Sequence, residues 1–245
     1  FTAVSDVSFS VAPGTTHALV GESGSGKTTT GRAISLFSRP TAGSIALHGE
    51  EITTARGKHQ RELRRAIQMV YQNPFGSLDP RLSIGDSIAE PVRNFFGASR
   101  RSARAKAKEV LDQVSLDSSM ATRKPSELSG GQRQRVAIAR AIIIEPELIV
   151  LDEAVSALDV TVQAQILRLL DDLQKELGLT YIFISHDLAV VNQISDSVSV
   201  LSRGKQVEYG ATEKIFTQPS TDYTRTLIDA IPGSRYRAGD LNLGL

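Results

Sequence analysis

The chain has 245 residues and carries 28 Lys and Arg against 27 Asp and Glu, a net charge of +1 that lacks the basic excess marking a nucleic-acid binder. It contains no cysteine, which excludes disulfides and thiolate metal sites. Its apolar fraction of 40% is that of a globular protein, and no apolar stretch approaches the roughly 18–20 residues that span a bilayer, so any membrane role requires docking on other subunits.

Residues 4–11 alternate apolar and polar and predict a half-buried strand ended by the turn at Pro13 and Gly14. Residues 17–20 predict a short strand running straight into a glycine-rich loop, and residues 27–37 a helix stopped before Arg39 and Pro40. Residues 44–47 predict a strand, followed by a polar hairpin or loop around His48, Gly49 and Glu50; residues 67–71 predict a buried strand. From Gln72 to about Gln134 strand signals vanish, and residues 84–96 and 102–114 carry helical periodicity. The basic run 100–108 reads as a solvated helix face. Strand and helix then alternate again. Residues 148–152 predict a strand, and 161–177 a helix with Val162, Ile166, Leu170, Leu173 and Leu177 on one face. Strands at 181–185 and 198–201 and a helix at 222–231 follow. This alternation implies an α/β fold, a mostly parallel sheet with helices on both faces. Residues 1–72 and 135–216 are expected to form the core, 73–134 an inserted helical subdomain and 217–245 a C-terminal extension.

Three segments carry chemistry. The first is GESGSGKT at residues 21–28, between a strand and a helix. Gly21, Ser23, Gly24, Ser25, Gly26, Lys27, Thr28 and the following Thr29 form a phosphate cradle, because glycines let the backbone turn its N–H groups inward and the helix adds its positive end. Lys27 is expected to reach the β- and γ-phosphates and Thr28 to ligate Mg²⁺. A chance Gly/Ser turn is the bland alternative. The second is Asp152 and Glu153 after an apolar strand, where adjacent carboxylates lie beside the phosphate site of a doubly wound sheet. Asp152 is suited to Mg²⁺ and Glu153 to polarising the water that attacks the γ-phosphate, the alternative being an acidic helix cap. The third is Leu128, Ser129, Gly130, Gly131 and Gln132 before an apolar helix, a second anion-binding helix end. One nucleotide in one P-loop fold does not need two such ends.

LSGGQ with its helix resembles the signature motif of ABC ATPases, and further matches follow in that family's order over essentially the whole chain. The resemblance implies a P-loop (RecA-like) core with an antiparallel β segment, and two domains that share ATP and Mg²⁺ across a head-to-tail interface. Ser129, Gly130, Gly131 and Gln132 then contact the ATP held by the partner domain. Gln72 matches the Q-loop glutamine, which touches Mg²⁺ and the attacking water, Asp159 lies in the D-loop crossing the interface, and His186 matches the switch histidine at the γ-phosphate. A lone histidine after a strand is otherwise usually a capping or core residue.

Residues 71–81 (YQNPFGSLDPR), 153–160 (EAVSALDV) and 222–225 (DYTR) resemble the ATPases of oligopeptide and dipeptide importers, a subfamily that also serves nickel, glutathione and some sugar oligomers. The partners so implied are a second ABC ATPase domain, two integral membrane permease subunits and, indirectly, a substrate-binding protein, with no nucleic acid. The location implied is the cytoplasmic face of the inner membrane. Ala154 departs from the proline of many relatives, and the lack of cysteine excludes the iron–sulfur cluster of some. The family's adenine-stacking aromatic falls by spacing before residue 1, so the chain reads as cut short at its start, as one half of a longer two-ATPase polypeptide would be. The alternative is a soluble ABC ATPase of translation or DNA repair.

Overall fold

A computed structural model of the chain describes residues 2–72, 76 and 78–231. Phe1, residues 232–245, and Asn73, Pro74, Phe75 and Ser77 of the importer-like segment lie outside the described residues. The centre of the fold is β1 (Thr16–Val20), buried at every position. It lies between β6 (Thr180–Ser185) and β7 (Ser197–Ser202), parallel to both. With β4 (Ile67–Val70), β5 (Leu148–Asp152) and β8 (Lys205–Ala211) these strands form a six-stranded sheet of order β4-β5-β6-β1-β7-β8. Every pairing is parallel except the last, β7 with β8.

Both faces of the sheet are covered at its central strands β1, β5 and β6, which is why these read as largely apolar runs. Side chains alternate between two clusters. Ile149, Leu151, Tyr181 and Phe183 enter the larger one, whereas Leu148, Val150, Ile182 and Ile184 enter the smaller. The smaller side carries α1 (Lys27–Ile34), α2 (Gly57–Ala66) and the hairpin of β2 (Ala46–Leu47) and β3 (Glu50–Glu51). The larger is filled by α3 (Ile84–Phe96), α4 (Arg100–Gln113), α5 (Gly130–Ile142), α6 (Val160–Leu177) and α7 (Leu188–Ile194), with α8 (Thr212–Thr217) and α9 (Asp222–Asp229) beside β8. Among the described residues the stretch between β4 and β5 is helical apart from loops, with α3, α4 and α5 packed on one another.

Several expectations are corrected. Residues 4–11 form no strand ladder; a single parallel bridge joins Ser5 to Lys205. The alternation is real, since Val7, Phe9 and Val11 pack against the smaller cluster, but the backbone finds other partners: Ser8 N–H donates to the Gln206 side chain and Ser5 N–H to Gly204 O. Helix α1 stops at Ile34 because Leu36 adopts φ 58°, and Phe37 N–H turns back to Arg32 O. The predicted strand 44–47 shortens to β2, which pairs with β3 through His48 and Gly49, both at positive φ as a tight hairpin turn requires. Of the α6 stripe, Ile166, Leu170 and Leu173 are buried while Leu177 is 42% exposed. The basic run lies on α4 as expected but is not merely solvated: Arg100 and Arg104 pair with Asp86, and Lys106 pairs with Glu145.

The β1–β7 pairing also encloses a titratable group. His17 is fully buried, its Nδ1 2.8 Å from Ser197 Oγ and its Nε2 2.9 Å from Ser199 Oγ, with Phe9 stacked on the ring. Burial lowers its pKa from 6.5 to about 4. The unfolded chain takes up this proton near pH 6.5 and the fold resists it until about pH 4, so His17 contributes stability above pH 6.5 that is lost as pH falls through that window. We expect up to about 3 kcal/mol of pH-dependent stability there, measured as the difference between wild type and His17→Gln in denaturant titrations. A pH-independent difference would exclude this role.

Candidate active site

The carboxyl ends of β1, β4, β5 and β6 lie at one edge of the sheet because the four strands are parallel and in register, Val20 beside Ser185, Asp152 beside Ile184 and Val70 beside Leu151. Loops leaving that edge bring together residues far apart in sequence. From β1 comes the glycine-rich loop. Gly21 has φ 144°, and a Cβ there would stand 2.0 Å from Leu201 O, so only glycine fits. Gly26, at φ 99°, caps α1 and turns the chain into the helix, whose first turn receives no side-chain cap. Ser25 Oγ is buried inside the loop without a hydrogen-bond partner, the kind of orphan a phosphate oxygen satisfies. Lys27 is buried, with Nζ donating to Gly21 O at 2.7 Å and to Glu22 O at 2.8 Å. Burial lowers its pKa, opposed by the carboxylates of Glu153, Asp152 and Glu22. Ser23 and Thr29 are exposed on the loop and the first turn of α1.

Thr28 Oγ1 donates to Asp152 Oδ1 at 3.0 Å. Asp152 is buried at the end of β5, and burial pushes its pKa up against the Thr28 hydrogen bond. The neighbouring Glu153 has φ 49°, a left-handed conformation held because its N–H donates to Ile184 O at 2.9 Å. Its carboxylate is the meeting point of three strand ends. Gln72 Nε2, after β4, donates to Glu153 Oε2 at 2.8 Å, and His186 Nδ1, after β6, lies 3.4 Å from the same oxygen. Ala154, next in the chain, is buried in the larger core cluster.

The third segment sits elsewhere. Ser129 caps α5 with a reciprocal box: Gln132 N–H donates to Ser129 Oγ at 3.3 Å and Ser129 N–H to Gln132 Oε1 at 3.0 Å. Asp159 caps α6 by accepting Val162 N–H at 3.0 Å. The two caps are neighbours, since a Cβ on Gly131 would stand 2.5 Å from Val162 Cγ1 and one on Gly130 3.6 Å from Leu158 Cδ2. Among the described residues no hydrogen bond or ion pair joins Ser129, Gly130, Gly131, Gln132 or Asp159 to residues 21–29. The chain thus assembles Lys27, Thr28, Gln72, Asp152, Glu153 and His186 into one site and leaves the signature turn outside it.

Sequence reading missed the support beneath the loop. Gly204, in the β7–β8 turn, donates its N–H to Ser25 O at 3.2 Å and has no room for a side chain against Ala3 O, 2.6 Å from a Cβ placed there. Its only sequence signal is a glycine after a strand. As for a metal, the described residues contain no group of three or more His, Cys, Asp or Glu able to hold one. The hydroxyl of Thr28 and the carboxylate of Asp152 instead fit a cation that completes its shell with phosphate oxygens and water, as Mg²⁺ does.

Comparison with known proteins gives the family and the fold. A family profile described as ABC transporter matches residues 4–156. The probable peptide ABC transporter ATP-binding protein y4tS of Sinorhizobium fredii is 50% identical over 94% of this chain and 65% of its own length. The di/tripeptide transport ATP-binding protein DppF of Pseudomonas aeruginosa is 46% identical over 94% of this chain and 71% of its own, and the glutathione import ATP-binding protein GsiA of Escherichia coli 48% identical over 94% and 37%. The chain therefore spans between about a third and just over two-thirds of the length of these relatives. Among solved structures, cbiO1 of Clostridium perfringens, part of the transporter complex cbiONQ, superposes with a TM-score of 0.79 at 28% identity, covering 88% of this chain and 84% of its own. The dimeric ATP-binding cassette MJ0796 in a post-hydrolysis state with ADP and Pi gives 0.75 at 28% identity, covering 86% and 90%. A glycine-rich loop beside paired carboxylates, an LSGGQ turn set apart from them, and these relationships together place this chain in the ABC transporter family.

Proposed function

We propose that this ATPase energises an importer of oligopeptides or dipeptides, acting in a head-to-tail pair with a second ABC ATPase domain. The observation that carries the hydrolytic part is the convergence of Gln72 and His186 on Glu153 Oε2, beside the Thr28–Asp152 pair. The cargo class rests on the names of the relatives and on the importer-like segments.

In this reading the N–H groups of Gly24, Ser25, Gly26, Lys27, Thr28 and Thr29 cradle the phosphates, with Gly21 and Ser23 shaping the loop. Lys27 keeps Gly21 O as one partner and turns its other donors, including the one now on Glu22 O, to phosphate oxygens. Thr28, Asp152 and Gln72 would hold Mg²⁺, which when bound neutralises charge on the β- and γ-phosphates. Glu153 polarises the attacking water and His186 steadies the γ-phosphate, so catalysis is mainly positioning and charge stabilisation. Ser129, Gly130, Gly131 and Gln132 of one domain face the nucleotide of the other, with Asp159 at the crossing. Residues 73–134 act as a helical subdomain on a core of 1–72 and 135–216, with 217–245 as an extension.

Further partners in this proposal are two integral membrane permease subunits and, through them, a substrate-binding protein; no nucleic acid is involved. Among the described residues no helix is long and apolar enough to cross a membrane. The attachment in this proposal is peripheral, through the permease subunits, at the cytoplasmic face of the inner membrane. Affinity purification from detergent-solubilised membranes is expected to recover the ATPase with its integral membrane subunits. Recovery with ribosomes or DNA in their place would overturn the transport reading in favour of a non-transport ABC ATPase.

A further inference from the structure

The first peptide plane of the phosphate loop, between Gly21 and Glu22, is held from both sides. Its carbonyl, Gly21 O, accepts Lys27 Nζ at 2.7 Å. Its N–H, on Glu22, donates to the hydroxyl of Tyr223 with N···O 3.4 Å. Because a trans peptide is planar, these two groups point in opposite directions and turn together. Whatever fixes the N–H also fixes the carbonyl that carries the lysine.

Tyr223 is well placed to do so, although 201 residues separate it from Glu22. It lies in the first turn of α9, which Thr221 caps by accepting Thr224 N–H at 3.1 Å. The entry to that helix is clamped to β8, where Glu208 accepts Ser220 N–H at 2.7 Å and Thr221 N–H at 3.3 Å. Tyr223, Leu227 and Ile228 are half-buried against the larger core cluster, so the ring arrives at the loop from a packed support.

We propose that Tyr223 is a positioning residue of the nucleotide site: its hydroxyl orients the Gly21–Glu22 peptide and hence Lys27, so that the C-terminal helix sets nucleotide affinity. This rests on reading residues 21–28 as a phosphate loop. Tyr223→Phe removes the hydroxyl and keeps the ring, so the nucleotide-free melting temperature is expected to stay that of wild type. KM for ATP is expected to rise about threefold or more, the loss of one hydrogen bond, while kcat changes by less than about twofold. Amide hydrogen exchange at Glu22 in the nucleotide-free protein is expected to quicken. Unchanged or lowered KM together with unchanged exchange, in a chain whose wild type binds ATP, would overturn this inference alone. A wild type that binds no nucleotide would overturn the phosphate-loop reading and this inference with it.

Discussion

Glu153→Gln is expected to bind ATP with wild-type affinity and to hydrolyse it about 10²-fold more slowly or worse. The substitution is nearly isosteric, and the new amide oxygen can still accept the Gln72 Nε2–H that Glu153 Oε2 accepts at 2.8 Å. The site therefore keeps its shape. What it loses is the negative charge and basic oxygen that pull a proton from water, at the one point where three strand ends converge. In the proposed site binding survives because the phosphates are held by other residues, Lys27 and Ser25 in the loop and Thr28 beside Asp152. Steady-state phosphate release measured with nucleotide affinity on the same sample decides the matter. Turnover at the wild-type rate would remove Glu153 from its role and leave the convergence as a structural hydrogen-bond cluster.

Lys27→Ala acts at the earlier step, and nucleotide affinity is expected to fall by two orders of magnitude or more, since the proposed charge-assisted contact from a buried ammonium to phosphate is lost. The ammonium is already desolvated, its charge supported by the carboxylates of Glu153, Asp152 and Glu22. Removing it leaves that acidic cluster uncompensated just where phosphates must enter, so repulsion adds to the missing contact. The carbonyls of Gly21 and Glu22 lose their lysine partner too. Titration with a fluorescent nucleotide, alongside circular dichroism to check the fold, reads the effect. Wild-type affinity in a folded variant would discredit the assignment of the loop.

How far the chain could be read in advance follows the physical range of each signal. The loop 21–28, the turn at 129–132 and the carboxylates at 152 and 153 were legible because each is a short contiguous pattern, although the structure adds that Ser129 and Asp159 are helix caps. Glycine supplies positive φ at Gly21, Gly24 and Gly26, and a cap bonds N–H groups two or three residues ahead. The apolar stretches of β1, β5 and β6 were legible for the same reason, since burial on both faces makes most of their positions apolar. Helix α2 was not foreseen because it buries only Leu63, so no apolar stripe exists to be seen. Residues 4–11 show the opposite failure. Their alternation describes burial correctly, but burial alone does not make a ladder, and their N–H groups found Gln206 and Gly204 in its place.

The glycine-rich loop, the acidic pair and the LSGGQ turn were thus legible in local sequence alone, and with them the family. Tertiary structure decided what those pieces meet. Strand order and parallel register put Gln72 and His186 on one oxygen of Glu153, across 81 and 33 residues of chain, and set Asp152 against Thr28 across 124. It also left Ser129 and Gln132 outside that site and brought Tyr223 to the back of the loop. Such meetings depend on which strands pair and which faces pack. Those choices are made by the summed burial of two cores rather than by any residue's neighbours, so no local pattern can announce them.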